Sequence, residues 1–107
     1  MIHTYRSNVA KEVGIFEAVI LNYVHFRQMQ NSQKTLKDVY EDGEYWMFTT
    51  YDKLVTTYDY VNAQQVVDTI DQLCASGYLK KRREANRLFL AVDVRYKELI
   101  DRTKFVA

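Results

Sequence analysis

Five cations crowd one short stretch of this chain: Lys80, Lys81, Arg82 and Arg83 in succession, then Arg87, within "YLKKRREANRLFLAVDV". Alternate residues of a β-hairpin point to opposite sides, so such a run lets its charged ends straddle a phosphate backbone or enter a minor groove. Just before it, "NAQQVVDTIDQLCASG" presents Asn62, Gln64, Gln65 and Thr69. Asn and Gln can pair bidentately with adenine, and Thr can touch a thymine methyl or a phosphate. A helix with those side chains beside a basic hairpin can hold DNA, the hairpin gripping phosphates and the helix making selective contacts. Asp68 and Asp71 on the same helix argue the other way, since phosphates repel them, although Asp68 can accept from a cytosine N4. The plainer alternative for all these residues is a solvated surface behind an Asn cap.

Catalytic and metal chemistry find no footing. There is no nucleophile–base pair, Gly-rich phosphate loop or pair of acids on one face, so no enzyme is expected and no catalytic residue is assigned. Cys74 is the single cysteine. Without a second thiol or a His at ligand spacing, no disulfide, metal site or cofactor is expected, and Cys74 reads as a small hydrophobe on an apolar helix face. His25, within "NYVHFRQ", has no carboxylate or second His at ligand spacing and reads as a packing residue.

The formal net charge of the 107 residues is only +1, so only the distribution of charge is informative. Residues 34–61 carry Asp38, Glu41, Asp42, Glu44, Asp52 and Asp59 against Lys34, Lys37 and Lys53. The positive end is the hairpin, followed by Arg95, Lys97, Arg102 and Lys104. With 48% hydrophobic and 14% aromatic residues, the chain can bury one respectable core, so residues 1–107 are expected to form one domain. No apolar run reaches the ~18 residues of a membrane span, and "MIHTYRSNVAKEVG" lacks a signal-peptide pattern. A cytoplasmic protein in a reducing compartment, with no membrane partner, is expected.

The elements that must position these residues follow from periodicity and punctuation. Ser7 or Asn8 can cap a short first helix ending at Gly14. "IFEAVILNYVHFRQMQNSQ" continues as a second helix, in which Phe16, Val19, Ile20, Tyr23, Val24 and Phe26 form a broad apolar face. "QKTLKDVYEDGEY" is an acidic loop with a turn at Asp42-Gly43, and "YWMFTT" a short strand with Trp46 and Phe48 on one face. Thr49 or Thr50 can cap a helix over "YDKLVTTYD". Residues Tyr58 to Val61 make a turn, Asn62 caps the next helix, and Val66, Ile70, Leu73 and Cys74 give that helix its apolar face, with Val67 beside them. Gly77 ends it. Two strands joined by "EANR" follow, with Leu79 facing inward and either Leu88 and Leu90 or Phe89 and Ala91 on the buried side. A last helix packs through Tyr96, Leu99, Ile100 and Thr103. Tyr45, Tyr51, Tyr58 and Tyr60, near the turn, are expected to roof the core rather than to meet a partner.

This order gives an α+β fold: a winged helix-turn-helix, mostly helical, with a small three-stranded antiparallel sheet. "GIFEAVILNYVHF", "DGEYWMFTTYDKLVTTY" and "NAQQVVDTIDQLCASGYLKKRREANRLFLAVD" resemble the winged-helix domain of phage and plasmid replication proteins, including DnaD-type replisome organisers. Glu17-Ala18 and Leu21, Asp42-Gly43 and Trp46, and Leu73 with Gly77-Tyr78-Leu79 stand at the matching positions, over residues 8–100. The resemblance implies a non-enzymatic DNA-binding protein of phage or mobile-element type, acting in transcription regulation or replication. Double-stranded DNA is then the expected partner, and a homodimer the natural assembly. The family's motif helix usually carries Lys or Arg in its first turns, where this chain has Asn62, Gln64, Gln65, Val67, Asp68 and Thr69. The family's larger members also carry a second domain, so a complete replication initiator is not expected. The alternative is a protein-interaction module in which Asp68 and Asp71 meet a host protein or a second copy.

Overall fold

The computed structural model describes residues 3–105, with side chains described through Asp101. The chain is α+β. Helix α1 (Ser7–Val13) has Arg6 at its N-cap position and no side-chain cap; Ser7 and Asn8, expected to cap it, lie within its first turn, and Asn8 donates to the Leu99 carbonyl at 3.3 Å. Helix α2 (Ile15–Gln33) buries Ala18, Val19, Ile20, Leu21 and Val24, while Phe16 and Tyr23 are half-buried. Phe26, expected on this face, is 53% exposed; it points away from the sheet that covers the neighbouring turns. Further along, Gln28 and Asn31 are buried but satisfied. Gln28 donates to the Tyr45 carbonyl and accepts from the Val92 amide, both at 2.8 Å, and Asn31 donates to the Trp46 carbonyl at 2.8 Å. These amides hold the following strands against α2 without leaving buried polar groups unpaired.

The acidic loop is more ordered than its composition implies. A 3₁₀ turn (Lys37–Val39) leads into a ribbon of β1 (Tyr40–Glu41) and β2 (Glu44–Tyr45), paired Tyr40 with Tyr45 and Glu41 with Glu44. Asp42 and Gly43 both take positive φ, 55° and 76°, as a two-residue type I′ hairpin turn requires. Strand β3 (Met47–Thr49) follows, then α3 (Tyr51–Thr57), capped by Thr50, whose hydroxyl accepts from the Lys53 amide at 3.1 Å.

Helix α4 (Ala63–Ala75) ends in a Schellman arrangement: Tyr78 N–H donates to Leu73 O at 3.0 Å and Gly77 N–H to Cys74 O at 3.3 Å. Gly77 has φ of 83°, and an added Cβ would stand 3.2 Å from Arg95 Cδ. Strands β4 (Leu79–Glu84) and β5 (Arg87–Val92) form a hairpin tighter than the sequence suggests, since Glu84 pairs with Arg87 and only Ala85 and Asn86 remain at the tip. Helix α5 (Val94–Phe105) closes the fold with Tyr96, Leu99 and Ile100 buried; the Thr103 side chain lies outside those described.

The three-stranded sheet has the order β3-β5-β4, antiparallel throughout. Both alternating sets of β5 are buried. Leu88, Leu90 and Val92 join Met47, Leu79 and the helices in the main core, whereas Phe89 and Ala91 join Trp46 in a second cluster on the outer face, with Val39 and Phe48 against it. Trp46 and Phe48 therefore share a face, and it is the outer one. The β1-β2 ribbon lies at its border.

Candidate nucleic-acid interface

Helix α4 divides into a buried stripe and an exposed edge. Val66, Thr69, Ile70 and Leu73 are buried, Cys74 is half-buried, and Gln64, Gln65, Asp68, Asp71 and Gln72 are exposed. Thr69 is thus a correction: it is 7% exposed and its hydroxyl donates to the Gln65 carbonyl at 2.7 Å, so it faces the core and not a groove. Its spacing, three after Val66 and four before Leu73, places it on the apolar stripe, a signal already present in the sequence. Asn62 serves as the N-cap, its Oδ1 accepting from the Gln65 amide at 2.8 Å. Gln64 donates to Asp68 Oδ1 at 2.8 Å, one turn along, which orients the carboxylate on the exposed edge. Gln65 remains exposed on the same turn.

The hairpin sorts its cations by the alternation of β4. Lys80 and Arg82 lie over the outer cluster. The Lys80 ammonium pairs with Glu44 and stands 5.5 Å from the Trp46 ring centre. The Arg82 guanidinium sits 4.2 Å from the Phe89 ring centre and 5.4 Å from that of Trp46, with Nη1 2.6 Å from both Glu41 and Glu84. Lys97, from α5, also reaches Glu44 at 3.5 Å. The acidic ribbon and the aromatic cluster together take up the charges of Lys80 and Arg82.

Lys81 and Arg83 point the other way, toward the two helices that precede the hairpin. Lys81 pairs with Asp71 of α4, and that hydrogen bond raises the ammonium's pKa above its ordinary value. Arg83 lies 5.4 Å from the ring centre of Tyr51, at the start of α3. Arg87 is exposed beside the hairpin tip. Among the described residues, neither Arg83 nor Arg87 meets a carboxylate within ion-pair distance.

Among the four tyrosines near the turn, Tyr58 is 1% exposed and Tyr45 and Tyr51 are half-buried, but Tyr60 is 58% exposed. Burial pushes the Tyr58 hydroxyl's pKa well up, and the Cys74 thiol is raised mainly for the same reason. His25 is half-buried with its ring 5.7 Å from that of Tyr96. Among the described residues, no three His, Cys, Asp or Glu side chains converge as metal ligands, and no helix is long and apolar enough to cross a membrane. Residue types flagged the cations of the hairpin but not their partners. Glu41 and Glu44 belong to the acidic middle segment, and only the ribbon's fold brings them to Lys80 and Arg82. No family model, curated protein or solved structure matches the chain.

Proposed function

We propose that the chain is a winged-helix DNA-binding protein without enzymatic activity, of phage or mobile-element type, acting in transcription regulation or replication. The observation that carries this reading is that, among the described residues, Arg83 on the inner face and Arg87 at the tip on the outer face have no carboxylate within ion-pair distance, on a hairpin joined to α4 through the Lys81–Asp71 contact. Strand order β3-β5-β4, with α3 and α4 inserted between β3 and β4 in the chain, supports the winged-helix assignment.

In this mechanism the phosphates go first to Arg83 and Arg87. Lys81 joins them by exchanging Asp71 for a phosphate, because an exposed ion pair is worth only about 0–1 kcal/mol. Lys80 and Arg82 stay on the outer cluster. Gln65 then meets base edges as an adenine reader, and Asp68, oriented by Gln64, favours a cytosine amino group and disfavours nearby phosphates. A homodimer on symmetric half-sites would double this modest set of contacts.

Fluorescence anisotropy with random-sequence duplex DNA at rising salt tests the reading. Three phosphate contacts give a slope of log affinity against log salt of about −2 to −3. Absence of binding at low salt would sink it.

A second reading has its own support. Ile15, Tyr5 and Tyr60 are 62%, 45% and 58% exposed and, with His3, line one surface depression, a patch suited to a protein partner, either a host protein or a second copy. Capture of a defined partner that survives nuclease treatment, together with no duplex binding, would favour this reading over the first.

A further inference from the structure

The side of α3 turned away from α4 opens onto a cleft that the hairpin does not share. Leu54 is buried in the main core, whereas Asp52, Lys53 and Thr56 face Tyr23 and Arg27 of α2 across a space of about 430 Å³ with Phe48 of β3 in its wall. Strand β3 is the edge of its sheet, so no further strand covers the cleft on that side. Each wall holds one cation beside one ring. Arg27 donates to the Tyr23 hydroxyl at 3.0 Å with its guanidinium 5.8 Å from that ring centre, and Lys53 Nζ stands 5.9 Å from the Phe48 ring centre. Among the described residues, neither Arg27 nor Lys53 forms an ion pair, although Asp52 lines the same cleft. The contrast with Lys80 and Arg82, which are held by acids, is direct.

Two cations against one carboxylate leave the cleft net positive and favour an anion, and half-buried aromatic rings favour a flat π-face. A nucleotide whose base is unpaired offers both at once. A duplex offers only the phosphate, since its bases are already stacked and paired. The volume lies within the range of small-ligand sites and is enough for one nucleotide unit.

From this juxtaposition we infer that the α2–α3 cleft binds an unpaired nucleotide of a single-stranded nucleic acid, with phosphates on Arg27 and Lys53 and the base against Tyr23 and Phe48. This site is separate from the hairpin and does not depend on duplex binding there.

The experiment is anisotropy of labelled oligothymidylate and oligouridylate, each about a dozen nucleotides long, at roughly 20 mM salt. The intact chain should bind at least one of them. The Arg27→Gln, Lys53→Gln double variant should weaken that binding about 10-fold or more, and Phe48→Leu several-fold. The Arg83→Ala, Arg87→Ala variant should weaken it several-fold less than the cleft double variant does, since hairpin guanidiniums attract single-strand phosphates only through general electrostatics. Lys53→Gln alone, at an exposed position, gives the same direction without risk to folding. A preference for one oligonucleotide means that the cleft reads the 2′-hydroxyl or the C5 methyl group, the two features in which they differ; equal binding assigns recognition to phosphate and the shared pyrimidine ring. The inference is overturned if the intact chain binds neither oligonucleotide, if the cleft variants bind as tightly as it does, or if the hairpin variant loses as much as they do. Loss of duplex binding alone in the hairpin variant bears on the duplex-binding reading and leaves the cleft standing.

Discussion

The two faces of β4 carry the same kind of residue and have opposite fates. Lys80 and Arg82 lie on the outer face over Trp46 and Phe89, with Glu41, Glu44 and Glu84 around them. Lys81 and Arg83, one position along in each case, face α4 and α3, where they meet a single carboxylate, Asp71, and the ring of Tyr51. A basic run in a strand is thus two half-runs, one on each face. On the outer face the long side chains act as a lid on an aromatic cluster, their stems covering apolar surface while their charges are compensated. On the inner face Lys81 has only the exposed Asp71, and Arg83 has no carboxylate among the described residues. If the hairpin binds DNA as proposed, a count of cations overstates its grip on phosphates, and the salt dependence should follow Lys81, Arg83 and Arg87 alone.

The largest effect is expected from removing what the outer face covers. Trp46→Ala deletes a 6%-exposed ring and its Nε1 hydrogen bond to the Glu41 carbonyl at 3.0 Å. It should cost about 3 kcal/mol or more in denaturant unfolding; a loss below ~1 kcal/mol would mean that the cluster contributes little to the fold. Next comes Arg83→Ala with Arg87→Ala. Duplex affinity near 0.1 M salt should fall roughly 10- to 100-fold and the salt slope should flatten by about 2, with unfolding nearly unchanged. If the outer pair Lys80→Ala, Lys81-intact, Arg82→Ala produced that flattening instead, the assignment of the two faces would be reversed.

A smaller effect is expected from Arg82→Ala alone, about 1 kcal/mol of stability through the lost cation–π contacts and packing, with little change in duplex affinity. The smallest belongs to Asp71→Asn, which frees Lys81 and removes one negative charge from the exposed edge of α4. Duplex affinity should rise about 2- to 3-fold while stability changes by less than ~0.5 kcal/mol. Its pH dependence has a definite sign. The folded pKa of Lys81 is raised above its ordinary 10.5, so the pair's contribution is complete below that value and lost as pH rises through the higher folded one. The stability gap between the native chain and Asp71→Asn should accordingly close at alkaline pH, as followed by urea denaturation.

Much of the fold was legible because local rules and long-range packing agree. The 3.6-residue spacing of Val66, Ile70 and Leu73, the Asn62 and Thr50 caps and the stop at Gly77 mark α3 and α4 in the sequence, and each has a matching hydrogen bond in the structure. In Phe26 and Thr69 residue type and burial disagree, and only Thr69's spacing signals it. Residue type gives each its polarity, while burial depends on which side of each helix the sheet and its neighbours cover. The "DG" pair marked a turn but not the ribbon around it, since two-residue strands carry too few side chains to show alternation.

The candidate site was legible only as an inventory. Hairpin cations, the helix's Asn and Gln, and the acidic middle segment are all visible in the chain, but local sequence spacing cannot reveal that Glu44 stands 36 residues before the Lys80 it neutralises. The same holds for Arg27 and Lys53, unremarkable apart and brought together by α2 and α3. The order of the helices and of the three strands of the main sheet, the Asn62 cap and the Gly77 stop can be read from the chain, because those depend on backbone geometry and on spacing within a few turns. Only the tertiary structure decided which charges remain free, because electrostatic compensation depends on distance through space, and residues far apart in the chain set that distance.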